Sequence, residues 1–139
     1  ARKQFQAIVD KYPHTKSADI ALYFVGLSSS QVGDNAAAER DLRKVASSGG
    51  QDLSALAKFA LASVYRNTNR LKEAIDLYKQ LIDKPAPTVG KAMAQMELAE
   101  TYVQNQQPGE AKVIYQQIQK ENPSSEVAGT ASKKVADLK

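Results

Sequence analysis

The sequence predicts an all-α solenoid of antiparallel helical hairpins, about eight helices stacked in one domain spanning residues 1–139. Two observations lead there. Small residues and large apolar residues recur at fixed distances from one another, three times along the chain. Between these segments lie short breaks made of turn formers, Ser47-Ser-Gly-Gly50 and Lys84-Pro-Ala-Pro87.

The three segments superimpose without an internal gap. The first runs Leu22-Tyr-Phe-Val-Gly-Leu, then Gly33, Ala38, Leu42 and Val45. The second runs Lys58-Phe-Ala-Leu-Ala-Ser-Val-Tyr65, then Asn69, Ala74, Tyr78 and Leu81. The third runs Gln95-Met-Glu-Leu-Ala-Glu-Thr-Tyr102, then Gln106, Ala111, Tyr115 and Ile118. A small residue (Gly26, Ala62, Ala99) always stands 19 residues before an apolar one (Val45, Leu81, Ile118). The large residue of the second helix (Leu42, Tyr78, Tyr115) recurs at steps of 36 and 37. Two helices paired in a hairpin approach to roughly 8–10 Å, which requires a small side chain where they cross. Gly26, Ala62 and Ala99 supply it on the first helices, and Ala38, Ala74 and Ala111 on the second. One hairpin cannot cover its own apolar face, so neighbours stack.

Taken in order, residues 1–13 read as the second helix of a truncated repeat: Ala1, Phe5, Ile8 and Pro13 match Ala111, Tyr115, Ile118 and Pro123. The expectation is that the chain is cut there and that the partner helix lies upstream. Residues 17–47, 52–84 and 88–121 are then complete repeats. Residues 124–139 form a capping helix, with Val127, Ala131, Val135 and Leu138 on one face and Lys133, Lys134 and Asp137 on the other. Asp34, Asn69 and Thr88 are the expected N-caps, and Pro108 suits a first helical position. No strand is expected.

The order small residue, Tyr, Gly, Ala, aromatic, Pro resembles the tetratricopeptide repeat. Ala62, Tyr65, Ala74 and Tyr78 carry it, with Asn69 where the family has Gly; Ala99, Tyr102, Ala111, Tyr115 and Pro123 carry it again. In the earlier repeat Ser29 replaces the tyrosine, while Gly26 and Gly33 are in place. Linkers between hairpins run two or three residues longer than the family norm. The resemblance implies a right-handed superhelical twist and a protein–protein interaction scaffold rather than an enzyme. It further implies a concave wall, built from the first helix of each hairpin, on which partner peptides lie. Carried over by position, that wall presents Ile20, Tyr23, Leu27 and Gln31, then Leu56, Phe59, Ser63 and Arg66, then Met93, Met96, Glu100 and Val103. Family members that grip a peptide's terminal carboxylate use a lysine–asparagine–arginine clamp here. Most of those places are apolar in this chain, so that specificity is not expected. Methionines and aromatics in the strip suit varied partners. The competing reading is that these side chains merely pack against the neighbouring hairpin.

Composition narrows the rest. Cysteine is absent, which removes disulfides and thiolate metal sites and leans slightly towards the cell envelope. The net charge is +4, but basic and acidic residues number seven and five over 1–48, six and four over 49–84, and six and six over 85–139. Interspersed signs make a solvated surface rather than a phosphate-binding stripe, so nucleic acid is not an expected partner. No run of 18 apolar residues exists, so a membrane would be reached only through an anchor outside this sequence. His14 is the single histidine, in a connecting loop without partners for metal binding or base catalysis. Glu97 and Glu100 lie three apart on a helix, a spacing that more often solvates a surface than catalyses. Gly49-Gly50 follows no strand and makes no phosphate loop. The final repeat is glutamine-rich, with Gln104, Gln106, Gln107, Gln116, Gln117 and Gln119, and reads as a neutral polar face. No catalytic residue, cofactor or metal site is expected. The link Tyr12-Pro13-x-Thr15-x-x-Ala18, echoed at Pro123-Ser-Ser-Glu-Val-Ala128, resembles one that recurs in tetratricopeptide proteins of the bacterial envelope. These include the ancillary translocon subunit and the repeat domains of outer-membrane assembly and Tol–Pal coordination proteins. It implies a periplasmic or envelope setting, with the cytoplasm as the alternative. A partner protein or peptide on the wall, and self-assembly through the N-terminal edge, both stay open.

Overall fold

A computed structural model describes residues 1–138. It contains eight α-helices: α1 (Arg2–Lys11), α2 (Lys16–Gln31), α3 (Asn35–Ser48), α4 (Gln51–Asn67), α5 (Leu71–Asp83), α6 (Lys91–Gln104), α7 (Pro108–Glu121) and α8 (Glu126–Asp137). Each packs on the next in sequence, so α2/α3, α4/α5 and α6/α7 are the three hairpins. Among the described residues the only strand-like pairing is an isolated bridge, Ala86 with Val89, in the linker before α6. The chain is a right-handed α-solenoid.

Local chemistry sets the helix ends. Thr15, Asp34 and Ser125 each cap a helix by accepting the backbone N–H three residues on, from Ala18, Ala37 and Ala128. Pro108 opens α7, where its missing N–H costs nothing. Inside every hairpin the first helix ends in the same closure. The N–H of Asp34, Arg70 and Gln107 donates five residues back, to the carbonyls of Ser29, Tyr65 and Tyr102. That closure needs a left-handed residue before the donor, and Gly33 (φ 84°), Asn69 (φ 60°) and Gln106 (φ 60°) fill the place. Here two expected caps fail. Asn69 is consumed by ending α4, so Arg70 is the N-cap of α5 and offers no side-chain cap bond. Thr88 sits in the Ala86–Val89 turn and donates its hydroxyl to the Asp52 carbonyl at 2.8 Å. The cap of α6 therefore passes to Gly90, and the helix starts at Lys91 rather than near residue 88.

The crossing points are closed. Ala38, Ala62, Ala74, Ala99 and Ala111 have no exposed surface. At Gly26 an added Cβ would stand 2.8 Å from Leu42 Cγ, so even a methyl group is too much there. Between hairpins, Tyr78, Tyr115, Leu42 and Ile118 fill the space completely. Each such side chain contributes roughly 1.5–3 kcal/mol on leaving water. One core runs from Ala38 to Ala131, and a smaller cluster of Leu22, Val25, Val45 and Ala57 joins α1 to it through Phe5 and Val9. No residue of α1 is itself buried.

Candidate interaction surface

Helices α2, α4, α6 and α8 occupy equivalent places in the stack. A side chain therefore stands level with the one 36 or 37 residues later. Ile20, Leu56 and Met93 form one row across these helices, Tyr23, Phe59 and Met96 the next, and Leu27, Ser63 and Glu100 the third. Ile20, Gln31, Ser63, Met93 and Val103 are exposed, and Tyr23, Leu27, Leu56, Phe59, Arg66, Met96 and Glu100 are half-buried. Gln31 lies one residue past Ser30, which is the residue level with Arg66 and Val103.

The surface has two halves. Near the N-terminal ends of the helices it is apolar. The Phe59 ring meets the edge of Tyr78 at 5.8 Å, and Tyr23 meets Phe24 at 5.4 Å. Both Phe59 and Tyr23 are half-buried, so part of each ring stays open.

Near the C-terminal ends it is charged. The Arg66 guanidinium of α4 reaches across to α6, where it donates to Glu97 and lies 3.8 Å from Glu100. Lys134 of α8 pairs with the other oxygen of Glu100 at 3.4 Å. The Gln104 amide donates to the Arg66 carbonyl at 3.2 Å. One ion-pair ladder thus ties α4, α6 and α8 together. Burial pushes the Tyr78 phenol up to about 12, and the Tyr115 phenol, beside Glu100 and Glu97, also to about 12. Burial opposes the Arg66 charge, but Tyr78 and the two carboxylates more than offset it and hold its pKa above the ordinary value.

Sequence reading missed this ladder. It took Glu97 and Glu100 for a solvated pair, because neither Arg66 nor Lys134 is a helical neighbour. The available signal was the repeat itself. Glu97 and Glu100 lie six and three residues before Val103, which is level with Arg66, within one or two turns of a long side chain.

A second charged knot lies away from this surface. Arg70 pairs with Glu39 and Glu73, each at 2.6 Å, and its guanidinium lies 4.4 Å from the Tyr65 ring centre. It staples the α4–α5 turn onto α3. His14 sits in the loop before α2 with φ 64°, exposed. Among the described residues no group of three His, Cys, Asp or Glu side chains converges as a metal site. No described helix is long and apolar enough to cross a membrane.

The family model of the tetratricopeptide repeat-like domain matches residues 1–80, more than half of the chain. The chain belongs to the tetratricopeptide repeat-like family. A further tetratricopeptide repeat model matches residues 93–125. No curated protein sequence matches. Solved structures show the same fold at low identity. The nearly identical tetratricopeptide-like repeats of a candidate kinesin light chain from Podosopora anserina are 19% identical, with a TM-score of 0.82 over 99% of this chain and 74% of that one. A tetratricopeptide repeat protein from Parabacteroides merdae is 18% identical, with a TM-score of 0.77 over 99% and 52%. MamA is 19% identical, with a TM-score of 0.70 over 99% and 79%. At such identities the likeness concerns the fold of these tetratricopeptide repeats alone.

Proposed function

We propose that this chain is a binding scaffold that takes a helix or extended segment of a partner protein on the surface formed by α2, α4 and α6. The observation that carries this reading is the row of large apolar side chains left open there. Ile20 is 44% exposed, Met93 50% and Val103 41%, beside half-buried Tyr23, Phe59 and Met96. Covering such side chains is favourable for any partner with apolar anchors, and methionine adapts to several shapes. The Arg66–Glu97–Glu100–Lys134 ladder borders the strip and is internally neutral, so it orients a ligand rather than attracting one charge sign. Peptides selected from a random library against the full chain test this. Selected binders carry two or three large apolar anchors, and Ile20→Glu with Met93→Glu weakens them at least tenfold while leaving the fold intact. Binders indifferent to both substitutions contradict the reading.

The bacterial envelope is the setting we favour, from the Tyr12-Pro13-x-Thr15 link; fractionation of the native host tests it. A second reading, self-assembly, is favoured by the N-terminal edge. Phe5 stacks on Phe24 at 5.1 Å, and Phe24 stays exposed, as do Ile8 and Tyr12 on α1 and at its C-terminal end. Concentration-dependent light scattering that is lost in Phe24→Glu would support it, and a monomer at all concentrations would remove it.

A further inference from the structure

The side of the stack away from the α2–α4–α6 surface carries clefts between successive second helices, each floored by the first helix between them. Leu22, Lys58 and Gln95 hold the same position one repeat apart: Leu22 floors a cleft between α1 and α3 and Gln95 one between α5 and α7, whereas Lys58 lines a pocket against α5 and the linker after it. What differs is the chemistry they bring. Leu22 is buried and apolar, and Lys58 is half-buried, so its ammonium has a path to water. Gln95 is 1% exposed.

The Gln95 amide is fixed. Its Nε2 donates to the Glu121 carboxylate at 3.3 Å, and a carboxylate only accepts, so the nitrogen must face that way. Oε1 is left buried with no donor. A buried acceptor without a partner is costly and calls for one. The cleft around it measures about 210 Å³; Ile82 of α5, Leu98 and Tyr102 of α6 and Ile114 of α7 wall it, and the exposed side chains of Asp83 and Gln117 line its mouth. Lys79, at its rim, places Nζ 6.0 Å from the Tyr102 ring centre.

We propose that this cleft is a second binding site, and that it takes the indole ring of a tryptophan on a partner segment. The ligand must bring an apolar body with one donor. An indole N–H donates and accepts nothing, so it satisfies Oε1 and leaves no polar atom stranded against Ile82, Leu98 and Ile114. A phenol brings an oxygen whose lone pairs these apolar walls cannot satisfy. An ammonium or guanidinium brings several donors and a charge to an apolar floor with one buried acceptor, and the Asp83 carboxylate would hold it at the mouth, in water. Lys79 at the rim suits the electron-rich face of an indole. The site is independent of the α2–α4–α6 surface, and either can fail without the other.

The chain contains no tryptophan, so the emission of an added indole is read without background. N-acetyl-tryptophanamide and its 1-methyl analogue are titrated into the full chain, with methyl NMR locating the contact. Expected are a saturable blue shift, displaced resonances of Ile82, Leu98 and Ile114, and roughly fivefold to tenfold weaker binding of the 1-methyl analogue, which lacks the donor. Gln95→Leu, the residue found at the equivalent Leu22, removes the discrimination between the two probes; thermal unfolding verifies that this variant is folded. N-acetyl-tyrosinamide binds more weakly than the tryptophan probe. Equal affinity for both indoles, stronger binding of the tyrosine probe, shifts confined to the methyls of Ile20, Leu56 and Met96, or no saturation up to the solubility limit each overturn the proposal. The last result would mean that the amide oxygen holds only water.

Discussion

Ala99 has no exposed surface because α6 and α7 cross on top of it, and the same holds for Ala62 in the hairpin before. These positions were legible in the sequence, since a crossing point tolerates only a small side chain and the repeat marks it three times. Ala99→Leu is expected to destabilise by about 1–3 kcal/mol through overpacking, measured as a lower urea midpoint at unchanged slope. Gly26→Ala behaves likewise, because its new methyl meets Leu42 at 2.8 Å. The two buried phenols make a prediction about pH. Tyr78 and Tyr115 are pushed up to about 12 in the folded chain, against roughly 10 for an unperturbed tyrosine. Unfolding lets both ionise earlier, so their contribution is complete below pH ~10 and is lost as pH rises towards 12. Absorbance at 295 nm should show two tyrosines titrating late, together with a fall in melting temperature across that window. Both tyrosines were recognisable from the sequence as fillers between hairpins; the carboxylates placed near them were not.

Turns were harder to read than helices. The sequence showed that Gly33, Asn69 and Gln106 share a position, but Asn69 has two possible uses, ending one helix or capping the next. The backbone closure decides for the first, because only a left-handed residue allows the Arg70 N–H to reach Tyr65. Gln106 occupies the same left-handed place without the side-chain help that Asn has. Gln106→Gly should therefore stabilise the chain by a few tenths to about 1 kcal/mol, as a raised denaturation midpoint. Gly33→Ala, at φ 84°, should do the opposite. Thr88 failed as a cap because the Lys84–Pro87 break folds back on α4, a tertiary contact that local pattern does not encode. The Arg66 ladder is invisible for the same reason. Its members belong to α4, α6 and α8, and only stacking brings them together. Arg66→Met keeps the stem and removes the charge. The loss in stability should stay below about 1 kcal/mol, since the pairs are partly exposed, and should shrink further in salt.

At the scale of the whole molecule the stack is one-dimensional, each hairpin touching its neighbours, so stability varies along it. Hydrogen exchange should be fastest in α1, which buries none of its residues, and slowest in α4 to α7, where the large core lies. Fold class and helix number followed from repeat spacing, because spacing controls which faces meet. Which faces stay open did not follow. The repeat places Ile20, Leu56 and Met93 level with one another, yet only the packed structure separates exposed Ile20 and Met93 from half-buried Leu56. The orphan oxygen of Gln95 depends in turn on Glu121, 26 residues away. The central claim is that the open apolar strip on α2, α4 and α6 is where a partner sits. Its most direct test is site-specific photocrosslinking in the native host, with the probe placed at Ile20, Met93 or Val103 and, as controls, at Val32 and Val113, which are more exposed still but lie off the strip. The first three positions should trap one and the same partner and the controls should trap none; adducts that form equally well from Val113, or only from the controls, would contradict the claim.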